Sequence, residues 1–265
     1  MKRIFWTMSL VLTATLAACE TLSTPPPPVL TDVPATKQAD FIASGVVIAS
    51  AEVLPARETQ MSFVVSAPVM EVLVKEGDKV TAGQTLMTLY SPDLELSVTE
   101  AQLELKAAEL DYVYWVPRLD RPPERREQAK AEVEQARTKL KTAESSFAQT
   151  TLVAPFDATA VDIDIQAGEF AQTGQVVITL GDLANMQVET TDLSERDVPA
   201  VQIGQAVDVY IEALNANVTG KVIRISPISK VVGGDVVYPV TVDLDEQPDG
   251  LLWGMTAEVK IQAAP

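Results

Sequence analysis

The hydrophobic pattern changes period along the chain, and each change predicts a different element. Between Phe41 and Val65 the apolar residues form short strand-like runs, Gly45-Val46-Val47-Ile48 and Met61-Ser62-Phe63-Val64-Val65, with Pro55 marking a break. Val74 to Leu89 reads VKEGDKVTAGQTLMTL, with turns at Glu76-Gly77-Asp78 and Ala82-Gly83-Gln84 and a short strand at Val80 between them. Two tight glycine turns flanking one short strand suit a small flattened β-sandwich. Ile165 to Leu180 reads IQAGEFAQTGQVVITL and repeats the pattern. Gly77 matches Gly168, Gly83 matches Gly174, and Gln84, Thr88 and Leu89 match Gln175, Thr179 and Leu180. Each copy has a lead-in, Ala67-Pro68 or Ala154-Pro155. The two copies are expected to close on each other as one split sandwich.

Between the copies the period becomes helical. Leu94, Val98, Ala101, Leu105, Ala108 and Tyr112 alternate steps of four and three, as do Ala129, Val133, Ala136, Leu140, Ala143 and Phe147. Pro92 suits a helix start, whereas Pro117 and Pro122-Pro123 forbid one continuous helix. The segment therefore predicts an antiparallel helical hairpin with charged outer faces (Glu100, Glu104, Lys130, Arg137 among others) in water. From about 183 the period returns to two, in Val207/Val209/Ile211, Val240/Val242/Leu244 and Ala257/Val259/Ile261. Thr241 is assigned to a polar outer face. Asp192 with Glu195 predicts a short capped helix over 192–198, and turns at Gly204, Asn215 to Asn217, Gly233-Gly234 and Pro248-Asp249-Gly250 separate strands of a small barrel.

Composition narrows the chemistry. The 265 residues are 47% apolar and 5% aromatic, enough for two or three modest cores. With 37 acidic against 20 basic residues and a net charge of −17, the surface repels phosphates, which argues against nucleic acid as a partner. There is no histidine and one cysteine, Cys19, so intrachain disulfides are impossible and a zinc site would need carboxylates alone. No catalytic constellation or phosphate-binding loop is visible, so the chain reads as a non-enzyme without a cofactor.

Lys2 and Arg3 precede an apolar stretch, Ile4 to Ala18, that is too short for a typical membrane span and has the form of an export signal. It ends in Leu16-Ala17-Ala18-Cys19, which resembles the lipobox of bacterial lipoproteins. That resemblance implies a diacylglyceryl-modified Cys19 at the start of the mature chain, hence an extracytoplasmic protein held at a membrane. Pro25 to Pro28 then reads as an extended stand-off tether. The parts in order are 1–18 signal peptide, 19–40 tether, 41–58 strands joining the barrel, 59–91 first half-sandwich, 92–150 hairpin, 151–182 second half-sandwich and 183–265 barrel.

This order, together with VKEGDKVTAGQTL, TLVAPFDATAVDIDIQAGEFAQTGQVVITL and DLANMQVETTDLSERDVPAVQIGQAVDVYI, resembles the periplasmic adaptors, or HlyD-type membrane fusion proteins, over residues 41 to 263. VVYPVTVDL and GLLWGMTAEVKI are similar to adaptors of macrolide-type ABC exporters. The resemblance implies a mainly β, elongated chain: a split lipoyl-like (barrel-sandwich hybrid) domain, an inserted helical hairpin and a β-barrel. It implies as partners an inner-membrane transporter, ABC-type favoured over a proton-driven or heavy-metal pump, a ring of copies, six by resemblance, and an outer-membrane duct. Family members often have glycine at Ala158, so a different turn is expected there. Many continue into a membrane-proximal domain after the GMTAEVKI strand; where it is missing, docking rests on the barrel and the anchored base. The family's usual tip pattern is not found in VPRLDRPPERREQAK, yet Arg118, Leu119, Arg121, Arg125 and Arg126 form a candidate docking cluster for an acidic partner. Two other readings are weighed. A lipoyl or biotinyl carrier would need a carrier lysine motif where the hairpin stands. A Cu(I) site would draw on Met61, Met70, Met87, Met186 and Met255, which are scattered.

Overall fold

The structure, a computed structural model, describes residues 45–115 and 122–262. Cys19, the tether, and Arg118, Leu119 and Arg121 of the predicted tip lie outside these residues. The sequence repeat folds as a pair of interleaved halves. The first half supplies β2 (Glu58–Ser62), β3 (Ala67–Val72), β4 (Lys79–Val80) and β5 (Thr85–Leu89), following β1 (Val46–Pro55). The second supplies β6 (Thr151–Val153), β7 (Ala158–Ile163), β8 (Phe170–Ala171) and β9 (Val176–Gly181). They assemble into two four-stranded sheets, ordered β2-β9-β7-β4 and β6-β5-β3-β8, so each sheet takes two strands from each half. Phe63, Leu86, Met87, Ile178 and Leu180 are fully buried between them.

The turn chemistry explains why the glycines recur. Gly77, Gly83, Gly168 and Gly174 have φ of 86°, 80°, 91° and 78°, the left-handed backbone required at the third position of a type II turn. Each turn is closed locally and across the repeat. Asp78 Oδ2 accepts from Lys75 N and Glu169 Oε2 accepts from Gln166 N, both at 2.8 Å. Gly77 N donates to Ala160 O at 2.8 Å, and Gly168 N donates to Val69 O at 2.9 Å. One half thus pins the other through equivalent bonds.

The remaining strands are β10 (Met186–Thr190), β11 (Ala206–Ile211), β12 (Ala216–Ile225), β13 (Lys230–Val232), β14 (Asp235–Val237), β15 (Val240–Leu244) and β16 (Thr256–Gln262). Five of them close a barrel with β1, in the order β1-β10-β15-β12-β11-β16, while β13 and β14 form a two-stranded ribbon that meets the segment after β10 through one bridge, Val237 to Ser194. Val53, Val188, Ile211, Val242, Val259 and Ile261 fill the barrel core. On its outer face Lys260 is held protonated to higher pH than an ordinary lysine, by its hydrogen bond to Glu258 and by that carboxylate's charge.

Several local expectations are corrected. β2 ends at Ser62, and Phe63 turns inward as a core residue while Val64 stays exposed, so the strand does not run to Val65. No α-helix forms over 192–198. Asp192 Oδ1 instead accepts from Ser50 N at 2.7 Å, clipping the segment to β1, and a single 3-10 turn follows at Val198–Ala200. Thr241 is buried rather than facing water, because Arg224 lies across it and donates to its hydroxyl from Nε and Nη2, both at 3.2 Å. Ala158 opens β7 opposite Val80 and makes no turn. The turn between the strands is held by Asp157, whose Oδ1 accepts from Ala82 N at 2.7 Å.

Candidate functional site: the inserted hairpin

β5 and β6 are antiparallel neighbours, with Thr88 opposite Thr151, so the segment between them leaves and re-enters the sandwich at one place. Leu89 N donates to Thr150 O at 2.8 Å and closes that base. Two helices fill the connection, α1 (Pro92–Trp115) and α2 (Pro123–Ala148), of 24 and 26 residues. At 1.5 Å per residue each is about 36–39 Å long. A carrier domain would present its lysine at this connection; here the position holds the hairpin.

The α1 seam follows the predicted heptads, since Leu94, Val98, Ala101, Leu105, Ala108 and Tyr112 are its covered residues, continued by Trp115. On α2 the seam runs through Ala129, Val133, Ala136, Leu140 and Ala143. The predicted last member, Phe147, is 37% exposed, and Ser146 is the covered residue instead. A step of three after Ala143 brings the helix end round so that Thr150 can meet Leu89. Ala101, Ala129 and Ala136 are buried, so methyl-sized residues set the close approach of the helices. Lys139 Nζ reaches Glu104 across the pair at 2.8 Å, an exposed contact that fixes the antiparallel register more than it adds energy.

Outside the seam lies a feature that the heptad reading passes over. Leu96, Leu103 and Leu110 on α1 repeat every seven residues and are 57%, 62% and 66% exposed. Residues seven apart lie nearly on one line of a helix, so these three leucines form an apolar ladder on the outside of the hairpin. The spacing was visible in the sequence, but their neighbours are charged. The helices also differ in charge. α1 has Lys106 as its one base against six acids, while α2 has Arg125, Arg126, Lys130, Arg137, Lys139 and Lys141 against five acids. Of the candidate tip residues, Arg125 and Arg126 lie in the first turn of α2. Arg125 Nη1 donates to Gln128 Oε1 at 3.3 Å, and Arg126 Nε is buried without a hydrogen-bond partner among the described residues.

The methionines of the metal reading are dispersed. Met61 and Met87 belong to the sandwich core, Met186 and Met255 to the barrel core, and Met70 is exposed. Among the described residues no three acidic or cysteine side chains gather into a metal-binding group, and no helix is long and apolar enough to cross a membrane.

Comparison with known proteins agrees with this architecture. Residues 57–182 match the CzcB-like barrel-sandwich hybrid domain family. The fold is similar to that of a MacA–MexA chimera carrying the α-hairpin domain of Pseudomonas aeruginosa MexA, with a TM-score of 0.76 and 22% identity over 83% of this chain and 81% of that one. A membrane fusion protein of Streptococcus pneumoniae gives 0.69 and 21% identity, over 83% of this chain and 100% of that one. MacA of Actinobacillus actinomycetemcomitans gives 0.64 and 23%, over 83% and 78%. In sequence, a Haemophilus influenzae protein is 27% identical over 213 residues, 79% of this chain and 55% of that protein. The chain thus spans about half the length of the curated relative it matches.

Proposed function

We propose that this chain, a CzcB-like barrel-sandwich hybrid protein with the fold of the membrane fusion proteins, is a lipid-anchored extracytoplasmic adaptor of an export system. The observation that carries the reading is the exposed ladder of Leu96, Leu103 and Leu110 on a hairpin whose own seam is already filled. Large apolar side chains repeated along one line of a helix in water suit a contact surface. Its setting on an acidic helix, beside a more basic α2, suits the α2 of another copy, an arrangement that repeats head to tail and closes as a ring. The function is then assembly: sandwiches and barrels side by side, hairpins as a tube, and the barrel ends toward an inner-membrane transporter. The endings VVYPVTVDL and GLLWGMTAEVKI favour an ABC-type partner, and the leader with Cys19 supplies the anchor.

Replacing Leu96, Leu103 and Leu110 together by Gln is expected to turn rings into monomers in native mass spectrometry while far-ultraviolet circular dichroism stays unchanged. A wild-type chain that remains monomeric in its own membranes, or a variant that still forms rings, sinks the ring. Co-purification of a proton-driven pump instead of an ABC transporter would correct the partner and leave the adaptor reading standing. The arginines of the tip are proposed to meet an acidic partner. Replacing Arg118, Arg121, Arg125 and Arg126 by Ala should weaken efflux with the fold intact, and unchanged drug resistance would refute that role.

A further inference from the structure

The β13–β14 ribbon stands off the barrel, fixed at its base and bare at its tip. Val237 is buried, Tyr238 N donates to Leu193 O at 2.9 Å, and Lys230 Nζ lies 3.2 Å from Glu189 Oε1. Val231 and Val232 are 72% and 50% exposed, and Ile228, just before the ribbon, is 74% exposed. Adjacent residues of a strand point to opposite faces, so Val231 and Val232 place apolar surface on both sides of the ribbon. A protein seated against one face would leave the other in water, whereas a medium that closes around the tip covers both. Gly233-Gly234 makes the turn without adding side chains, and the ribbon's one cation is already occupied by Glu189. Asp235, exposed opposite Val232, is the tip's one carboxylate; the rest of the surface this tip offers is apolar.

Barrel topology says which way the ribbon leads. Ile225 pairs with Val240 where the chain leaves for the ribbon and returns, and this is the barrel end that holds Val46, paired with Gln262. The opposite end carries Pro55 and Met186, which lead to the sandwich. The chain coming from Cys19 therefore enters at the ribbon's end. We propose that the β13–β14 tip dips into the interfacial layer of the phospholipid bilayer and orients the barrel on it. This rests on the lipid-anchored reading above. An acyl anchor on a proline-rich tether limits distance but leaves orientation free, and a second, weak apolar contact fixes it.

The test uses the chain as purified from its membranes, with Val232→Cys or, at the other barrel end, Asp249→Cys, labelled with a nitrobenzoxadiazole fluorophore. Each is reconstituted into phosphatidylethanolamine–phosphatidylglycerol vesicles containing lipids with nitroxide near the headgroup. Emission from position 232 is expected to shift to the blue and to be quenched, while position 249 behaves as in water. Equal, water-like emission at both positions overturns the proposal. So does a photocrosslinker at position 232 that captures a protein rather than lipid in native membranes. The anchor is read separately: a lipidated Cys19 leaves no thiol, so label uptake by the wild-type chain refutes the anchor alone. The comparison of positions 232 and 249 is then repeated on Cys19→Ser chains with added vesicles, with the same two outcomes.

Discussion

A methyl group added at Gly174 and one added at Gly220 fail for different reasons. At Gly174 nothing lies within 4 Å of the new Cβ, but φ is 78°, so the cost is the left-handed backbone of an L-residue, about 1–2 kcal/mol. At Gly220 the backbone is ordinary, but the new atom would collide with the carbonyl oxygen of Asp243 on the paired strand β15. That strand must move, and overpacking of this kind costs about 1–3 kcal/mol. Urea titration should find Gly220→Ala at least as destabilising as Gly174→Ala, and only Gly220→Ala should loosen the β12–β15 pairing in hydrogen exchange. The difference also marks what the sequence shows. The turn glycines announce themselves by repetition, and the same geometry returns at Gln202–Gln205, where Gly204 has φ of 90° and Gln205 Oε1 accepts from Gln202 N at 2.7 Å. Gly220 sits within a strand, and its reason is a neighbour 23 positions away, which no local pattern encodes.

Among the elements, the hairpin was the most legible, because a seam read every three and four residues is a local property of each helix. Its end was not, since Phe147 yields to Ser146 only when the chain must re-enter the sandwich at Thr150. The predicted helix at Asp192 failed for a related reason. A capping residue is equally able to accept from Ser50 N, and the closing barrel decides in favour of β1. The seam separates packing from charge in a testable way. Ala136 is 6% exposed between the helices, and a larger residue must push them apart. Ala136→Leu should lower hairpin stability by about 1–3 kcal/mol, seen as a shifted helical melt in circular dichroism. Lys139→Ala removes an ion pair whose side chains are 54% and 53% exposed, and screening by solvent holds its effect to about 0.5 kcal/mol. A larger loss at Lys139 than at Ala136 would mean that charge, rather than the alanine seam, holds the helices together.

At the scale of the molecule, the order of parts was readable because the insertion splits a repeat, but the joint between barrel and sandwich was not. Two strand connections cross it, and their contacts come from distant places in the chain. Trp253, packed against the barrel core from the turn before β16, lies so close to Gly181 of β9 that an added Cβ would stand 3.1 Å from its ring. Next to it Asp182 is nearly buried. It accepts from Asn185 Nδ2 at 3.1 Å and pairs with Arg57 at 3.3 Å, while the Arg57 guanidinium lies 4.6 Å from the centre of the Phe156 ring. An indole that belongs to one core and rests on a strand of the other works as a strut, and Asp182 holds both crossing connections, its carboxylate accepting from Arg57 and Asn185 and its backbone N–H donating to Arg57 O at 2.9 Å. Trp253→Ala removes the strut but leaves the strand pairings of both domains in place. It should therefore broaden the distance distribution between spin labels at Glu134 on α2 and Asp208 on β11, measured by double electron–electron resonance, with little change in secondary structure. An unchanged distribution would assign the stiffness of the joint to the Arg57–Asp182–Asn185 cluster, and Arg57→Ala would then be the variant that broadens it.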